Sequence, residues 1–179
     1  MTGDVDEDQW DRVFTIRTKD GRGPFLIRIA PGTRERLERL ADVFDVVWAT
    51  TWMDGAATLL APELGLGSDW PHVPMAREIS LARAGAAPTD TWKLPAIQRW
   101  AAETDRPLAW IDDDIGEDAV EWAEHRTRAV APTVLALTNP FVGLTEAHAE
   151  ALLGWERQFA TNPGGPGGRS PGGSGRTGS

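Results

Sequence analysis

Three short runs constrain the fold of this chain most. They are "DVVWAT" (Asp45–Thr50), "RPLAWID" (Arg106–Asp112) and "PTVLALT" (Pro132–Thr138), and helix-length segments separate them. Consecutive apolar and β-branched residues over this length suit a strand covered on both faces. The segments between carry helical spacing. Pro95 suits the first turn of a helix with Ile97, Trp100 and Ala101 on one face. Asp118 to Arg128 reads as a second, with Val120, Trp122 and Ala123 inward. A last helix from Thr145 to Ala160 aligns His148, Leu152, Trp155 and Phe159. Such alternation predicts an α/β sandwich with a mainly parallel sheet.

The chain begins differently. "VFTIRT" (Val13–Thr18) and "PFLIRIA" (Pro24–Ala30) flank "KDGRG", which predicts a β-hairpin with a loop longer than two residues. Thr33 is the expected N-cap of a helix carrying Leu37, Leu40, Ala41 and Phe44. A further helix is expected over Gly55–Ala61, stopped by Pro62. Residues 65–90 are punctuated by Pro and Gly, and "EISLARA" within them fits either a strand or a helical turn. One α/β domain is therefore expected over residues 11–160. Residues 161–179, rich in Gly, Pro and Ser, are expected to form a disordered tail, because they hold no large apolar side chain to offset ordering.

Charge and composition exclude several functions. The 179 residues carry a formal net charge of −9, which opposes broad electrostatic binding to nucleic acid or anionic membranes. No cysteine is present, so thiolate metal sites and disulfides are ruled out. No run approaches the roughly 18 apolar residues that suggest a membrane span, and the acidic start lacks a secretory pattern. A cytoplasmic protein with no membrane partner is expected. The histidines at 72, 125 and 148 are not spaced as a ligand set, and His148 reads as a core-edge residue. Of the nine tryptophans, Trp48, Trp52, Trp100, Trp110, Trp122 and Trp155 follow strand and helix faces, which suits core packing better than a base-stacking platform.

In parallel α/β sheets ligands bind beyond the carboxyl ends of the strands. Three groups lie there: Thr50 and Thr51, Lys93, and the acids Asp112, Asp113 and Asp114. Lysine is rare in this chain, occurring only at Lys19 and Lys93. Together a hydroxyl, an ammonium and carboxylates suit phosphate chemistry. The carboxylates would hold Mg²⁺, which favours oxygen ligands. Lysine and threonine would hold phosphoryl oxygens. Each has a plainer reading: a strand-end threonine, a solvated lysine, and acids placed near the positive end of the next helix. Asp114 is left to that last role.

Four segments, "DVVWATTWMDGAATLLAPELGLG", "WKLPAIQRWA", "RPLAWIDDDIG" and "FVGLTEAH", resemble the haloacid dehalogenase (HAD) superfamily. Within it they are most similar to the HAD-like domain found in RNA-repair proteins and as stand-alone actinobacterial proteins. The likeness spans roughly Asp11 to Phe159. It implies a Rossmann-like HAD sandwich with an N-terminal β-hairpin flap. It also implies Thr50 and Lys93 as phosphate-binding residues, Asp112 and Asp113 as metal ligands, and Mg²⁺ as cofactor. The implied activity is Mg-dependent phosphatase or hydrolase action on a phosphate ester.

The sequence departs from that pattern at its start. The superfamily nucleophile lies in an Asp-x-Asp-Gly motif ending a strongly apolar first strand. Here Asp4-Val5-Asp6 follows only Met1, Thr2 and Gly3, and Glu7 replaces the glycine. No convincing nucleophile is supplied, and the first strand is missing from the pattern. The expectation is therefore a HAD-like phosphohydrolase, N-terminally truncated, or else a non-catalytic module binding a phosphorylated ligand or partner protein. The substrate is phosphorylated and otherwise unidentified. The family likeness suggests nucleic-acid ends, whereas the charge does not.

Overall fold

A computed structural model describes residues 10–17, 23–67 and 69–160. Asp4, Asp6, Lys19 and the tail from 161 to 179 lie outside these.

The hairpin forms as expected. Strands β1 (Arg12–Ile16) and β2 (Phe25–Ile29) pair antiparallel, with Phe14 opposite Ile27. Only Ile16 and Ile29 of the pair are buried, one at each end of the ribbon, and the residues between them are half-buried or exposed. Helix α1 (Thr33–Ala41) follows. Its N-cap is Gly32, in a left-handed conformation (φ 72°), rather than Thr33. The Thr33 hydroxyl instead donates to the Ala30 carbonyl at 2.7 Å. The tight entry demands the positive φ, which glycine supplies cheaply.

"DVVWAT" does not form a strand. It makes one parallel bridge, Trp48 to His72, with Trp48 N–H donating to Pro71 O and Val73 N–H to Trp48 O, each at 2.8 Å. The chain then turns, and Ala56–Leu60 forms a π-helical turn in place of the expected α-helix. "EISLARA" resolves as helical, most of it lying in α2 (Ala76–Arg83).

Helix α3 (Leu94–Ala101) carries Pro95 in its first turn and buries Leu94, Ala96, Ile97 and Ala101. Strand β3 (Leu108–Asp112) alternates buried and half-buried positions, with Leu108, Trp110 and Asp112 buried. Helix α4 (Glu117–Ala129) buries Ala119 and Ala123, whereas Val120 is exposed rather than inward. Strand β4 (Thr133–Leu137) is half-buried, not buried, and its Leu137 is exposed. Helix α5 (Glu146–Ala160) closes the domain against α1, with Phe44 stacked on Trp155.

The architecture is thus mixed α/β. Among the described residues the parallel sheet is a single pair, β3 with β4, rather than a continuous layer. Leu108 N–H donates to Pro132 O at 2.9 Å, and Thr138 N–H to Asp112 O at 2.8 Å. In a parallel ladder alternate residues serve one neighbour, so Ala109 and Ile111 direct their backbone groups to the opposite edge. No described strand pairs there. The main core lies beside this pair and joins Val73, Met75, Ile79, Leu94, Ile97 and Trp110. Trp92, Trp100 and Trp122 pack against it, which accords with the packing role expected of the tryptophans.

Candidate functional site

Lys93 sits at the N-cap of α3, next to the buried Leu94 and two residues before Pro95, which suits a helix's first turn. Asp112 ends β3. Strand alternation puts Asp112 on the same buried face as Trp110. The two segments meet there. Lys93 Nζ lies 2.8 Å from Asp112 Oδ1 and 2.7 Å from Oδ2. The side chains are only 13% and 4% exposed. A buried pair loses hydration, and further hydrogen bonds are needed to offset the loss. Asp112 has them: Trp110 Nε1–H donates to Oδ2 at 3.2 Å, and Asp114 N–H donates to Oδ1 at 3.1 Å. Lys93 Nζ also lies 5.5 Å from the Trp92 ring centre, close enough for a cation–π contribution.

A second network holds the loop that follows. Thr91, fully buried, donates its hydroxyl to Asp118 Oδ1 at 2.6 Å and accepts Gly116 N–H at 2.7 Å. Thr91 N–H also donates to Asp118, at 3.1 Å to Oδ2. Asp118 lies in the first turn of α4 and accepts Ala119 N–H at 2.8 Å. Burial would raise its pKa, but the donors from Thr91, Ala119 and Asp90 prevail and hold it below the usual range. Thr91 and Asp118 therefore clamp the approach to Lys93 against the acidic loop.

Asp113 is exposed and has no hydrogen-bond or ion-pair partner among the described residues. Asp114 is half-buried. Burial raises its carboxyl pKa, and the negative charge of Asp112 adds to the effect while Lys93 opposes it. The loop offers only oxygen donors, which fits a hard cation such as Mg²⁺ in kind. No cluster of three or more His, Asp or Glu side chains among the described residues is arranged to hold a metal alone. Mg²⁺ commonly binds through one or two carboxylates with water and substrate phosphate completing its shell. Asp113 is free for that role. Asp112 is already engaged by Lys93.

Thr50 stands apart. It opens the turn Thr50–Met53, where its hydroxyl oxygen accepts Trp52 N–H at 3.4 Å and Met53 N–H donates to Thr50 O at 3.1 Å. No described hydrogen bond joins it to Lys93 or the acids. Its neighbours Ala49 and Met53 do pack on the core that carries Leu94 and Trp110. Met53 has a positive φ of 49°, a costly conformation for a long side chain. The hairpin reaches the same turn, because Phe25 meets Trp52 edge-on at 5.3 Å.

The structure therefore brings together Lys93 and Asp112, leaves Asp113 at the rim, and keeps Thr50 out of their hydrogen-bonded network. His148 is half-buried at the start of α5, where its Nδ1 accepts Thr145 N–H at 3.2 Å. Sequence reasoning missed Thr91, Trp110 and Asp118 as members of the site. Trp110 could have been found from its i, i+2 relation to Asp112. Thr91 left no such sign, lying in an irregular stretch. No family model, curated protein or solved structure matches this chain.

Proposed function

We propose that this chain is a HAD-like domain that binds the phosphoryl group of a phosphate ester at the end of β3, and that its catalytic form is a Mg²⁺-dependent phosphohydrolase. The observation that carries the reading is the buried Lys93–Asp112 pair, formed by segments 19 residues apart at the carboxyl end of a parallel strand. Lysine is scarce in the sequence, and one of its two copies is held here by a carboxylate, a tryptophan and a helix start. Lys93 would neutralise phosphoryl oxygens. Asp113, with Asp112 released from Lys93, would hold Mg²⁺, which when bound supplies Lewis-acid polarisation of the phosphoryl group. Thr50 would donate its hydroxyl from the neighbouring turn.

A second reading is a non-catalytic module that binds a phosphorylated ligand or partner. It is favoured by one observation: among the described residues the only carboxylate hydrogen-bonded to Lys93 is Asp112, and no strand lies along the open edge of β3 to bring another.

Hydrolysis of p-nitrophenyl phosphate, with and without Mg²⁺, separates the two. Mg²⁺-dependent turnover lost in Asp112→Asn supports the enzyme. Phosphate binding without turnover supports the module, and neither turnover nor binding overturns both.

A further inference from the structure

The hairpin and the turn after β4 border a half-open cavity of about 280 Å³ that none of Thr50, Lys93 or the acids Asp112–Asp114 lines. Leu26 and Arg28 reach it from one face of β2, as the two-residue period of a strand requires. Pro140, Phe141, Val142 and Leu144 form the opposite wall. That wall is braced: Asn139 Oδ1 accepts Phe141 N–H at 2.8 Å, and Asn139 O accepts Gly143 N–H at 2.7 Å, with Gly143 at φ 72°. The bracing holds Phe141 81% exposed, the most exposed of the large apolar side chains among the described residues. Leu26 is 51% exposed on the facing strand. Apolar groups left open around a concavity, with one polar group among them, are the lining that ligand pockets have.

Arg28 gives the cavity its sign. It is exposed and has no ion pair or hydrogen bond among the described residues, in a chain whose net charge is −9. An unpaired guanidinium beside apolar walls complements a carboxylate or other oxyanion attached to an apolar body. The size, just under the roughly 300–1,000 Å³ of drug-sized pockets, suits one or two fused rings. We propose that this cavity binds a small amphipathic organic anion, with the apolar body between Leu26 and Phe141 and the anionic group on Arg28. The site is independent of the phosphoryl reading.

The test uses the full chain, 1-naphthoate as the anionic probe and 1-naphthalenemethanol as its neutral counterpart, with binding followed by ligand-observed NMR titration. Naphthoate is expected to bind more tightly than the alcohol. Arg28→Gln should weaken naphthoate about tenfold and leave the alcohol unchanged, as loss of a charge-assisted hydrogen bond implies. Phe141→Ala should weaken both, and Asp112→Asn neither. Both exposed positions permit substitution without loss of the fold, which circular dichroism checks. Absence of naphthoate binding to the wild type, equal binding of the two probes, or an unchanged affinity in Arg28→Gln would each overturn the proposal.

Discussion

The Thr91 hydroxyl lies 2.6 Å from Asp118 Oδ1, so a buried threonine just before α3 is tied to the first turn of α4. Because the same hydroxyl accepts Gly116 N–H, one oxygen atom spans both sides of the Lys93–Asp112 pair. The clamp thus ties together the two segments that carry Lys93 and Asp112.

Thr91→Val keeps the shape of the side chain and removes the hydroxyl. Gly116 N–H then loses its acceptor and Asp118 a donor, at a cost of about 1–3 kcal/mol. Thr91→Ser should recover most of it. Gly116→Ala tests the clamp from the other side, since an added Cβ would lie 3.0 Å from Thr91 Oγ1 and 3.1 Å from Asp118 Oδ1. The crowding should destabilise, and part of the cost should vanish when Thr91 is Ala, because the two sites share a contact. Urea unfolding of the single and double variants measures the coupling.

Arg126 should matter to stability out of proportion to its place on a polar-looking helix. It is 4% exposed and donates to Thr133 Oγ1 at 2.8 Å, Arg106 O at 2.9 Å and Thr104 O at 3.2 Å. Its guanidinium joins α4 to the segments entering β3 and β4. Desolvation lowers its pKa, with Asp105 opposing. Arg126→Met leaves these acceptors without their donor and should cost about 2–4 kcal/mol, a few unmet buried hydrogen bonds partly repaired by water. Arg126→Lys should recover little, since an ammonium cannot reproduce the planar fork. Thermal unfolding of both variants checks the order.

Acid should weaken the fold through Glu78 and Asp118. Arg99 donates to Glu78 at 2.9 Å, and this bond, against the opposing effect of burial, holds the Glu78 pKa below its ordinary value. Asp118 is held below its own by Thr91 and neighbouring N–H groups. A carboxyl depressed in the folded state binds fewer protons there than in the unfolded chain. Its stabilisation is complete above the unfolded pKa and disappears as pH falls through the folded one. Unfolding free energy should therefore fall as pH drops below the ordinary carboxylate range. Asp118→Asn and Glu78→Gln should each flatten that dependence, which denaturant titrations at successive pH values measure.

The sequence exposed those features that periodicity encodes. The apolar run "LAWID" was legible as a strand ending in Asp112, and helical spacing located Ile97, Ala101, Ala123 and Leu152 in the interior. It could not tell that "DVVWAT" makes only one bridge, because strand pairing depends on a neighbour elsewhere in the chain. Val120 failed for a related reason: α4 faces its partners through alanines, and the larger side chain turns outward. Arg126 was illegible, since its acceptors, backbone carbonyls and the Thr133 hydroxyl, are assembled only by the tertiary fold. At the site, Lys93 and Asp112 were visible as strand-end and helix-start residues, whereas the Thr91 clamp required the fold to be seen.

The phosphoryl site itself is tested most directly by calorimetric titration of inorganic phosphate into the chain, with and without Mg²⁺, for wild type, Lys93→Met and Asp113→Asn. Phosphate binding should require Mg²⁺ and weaken by about tenfold or more in either variant, as loss of a charged partner implies. No phosphate binding to the wild type, or binding that is the same without Mg²⁺ and in both variants, would contradict a phosphoryl site at Lys93 and Asp113.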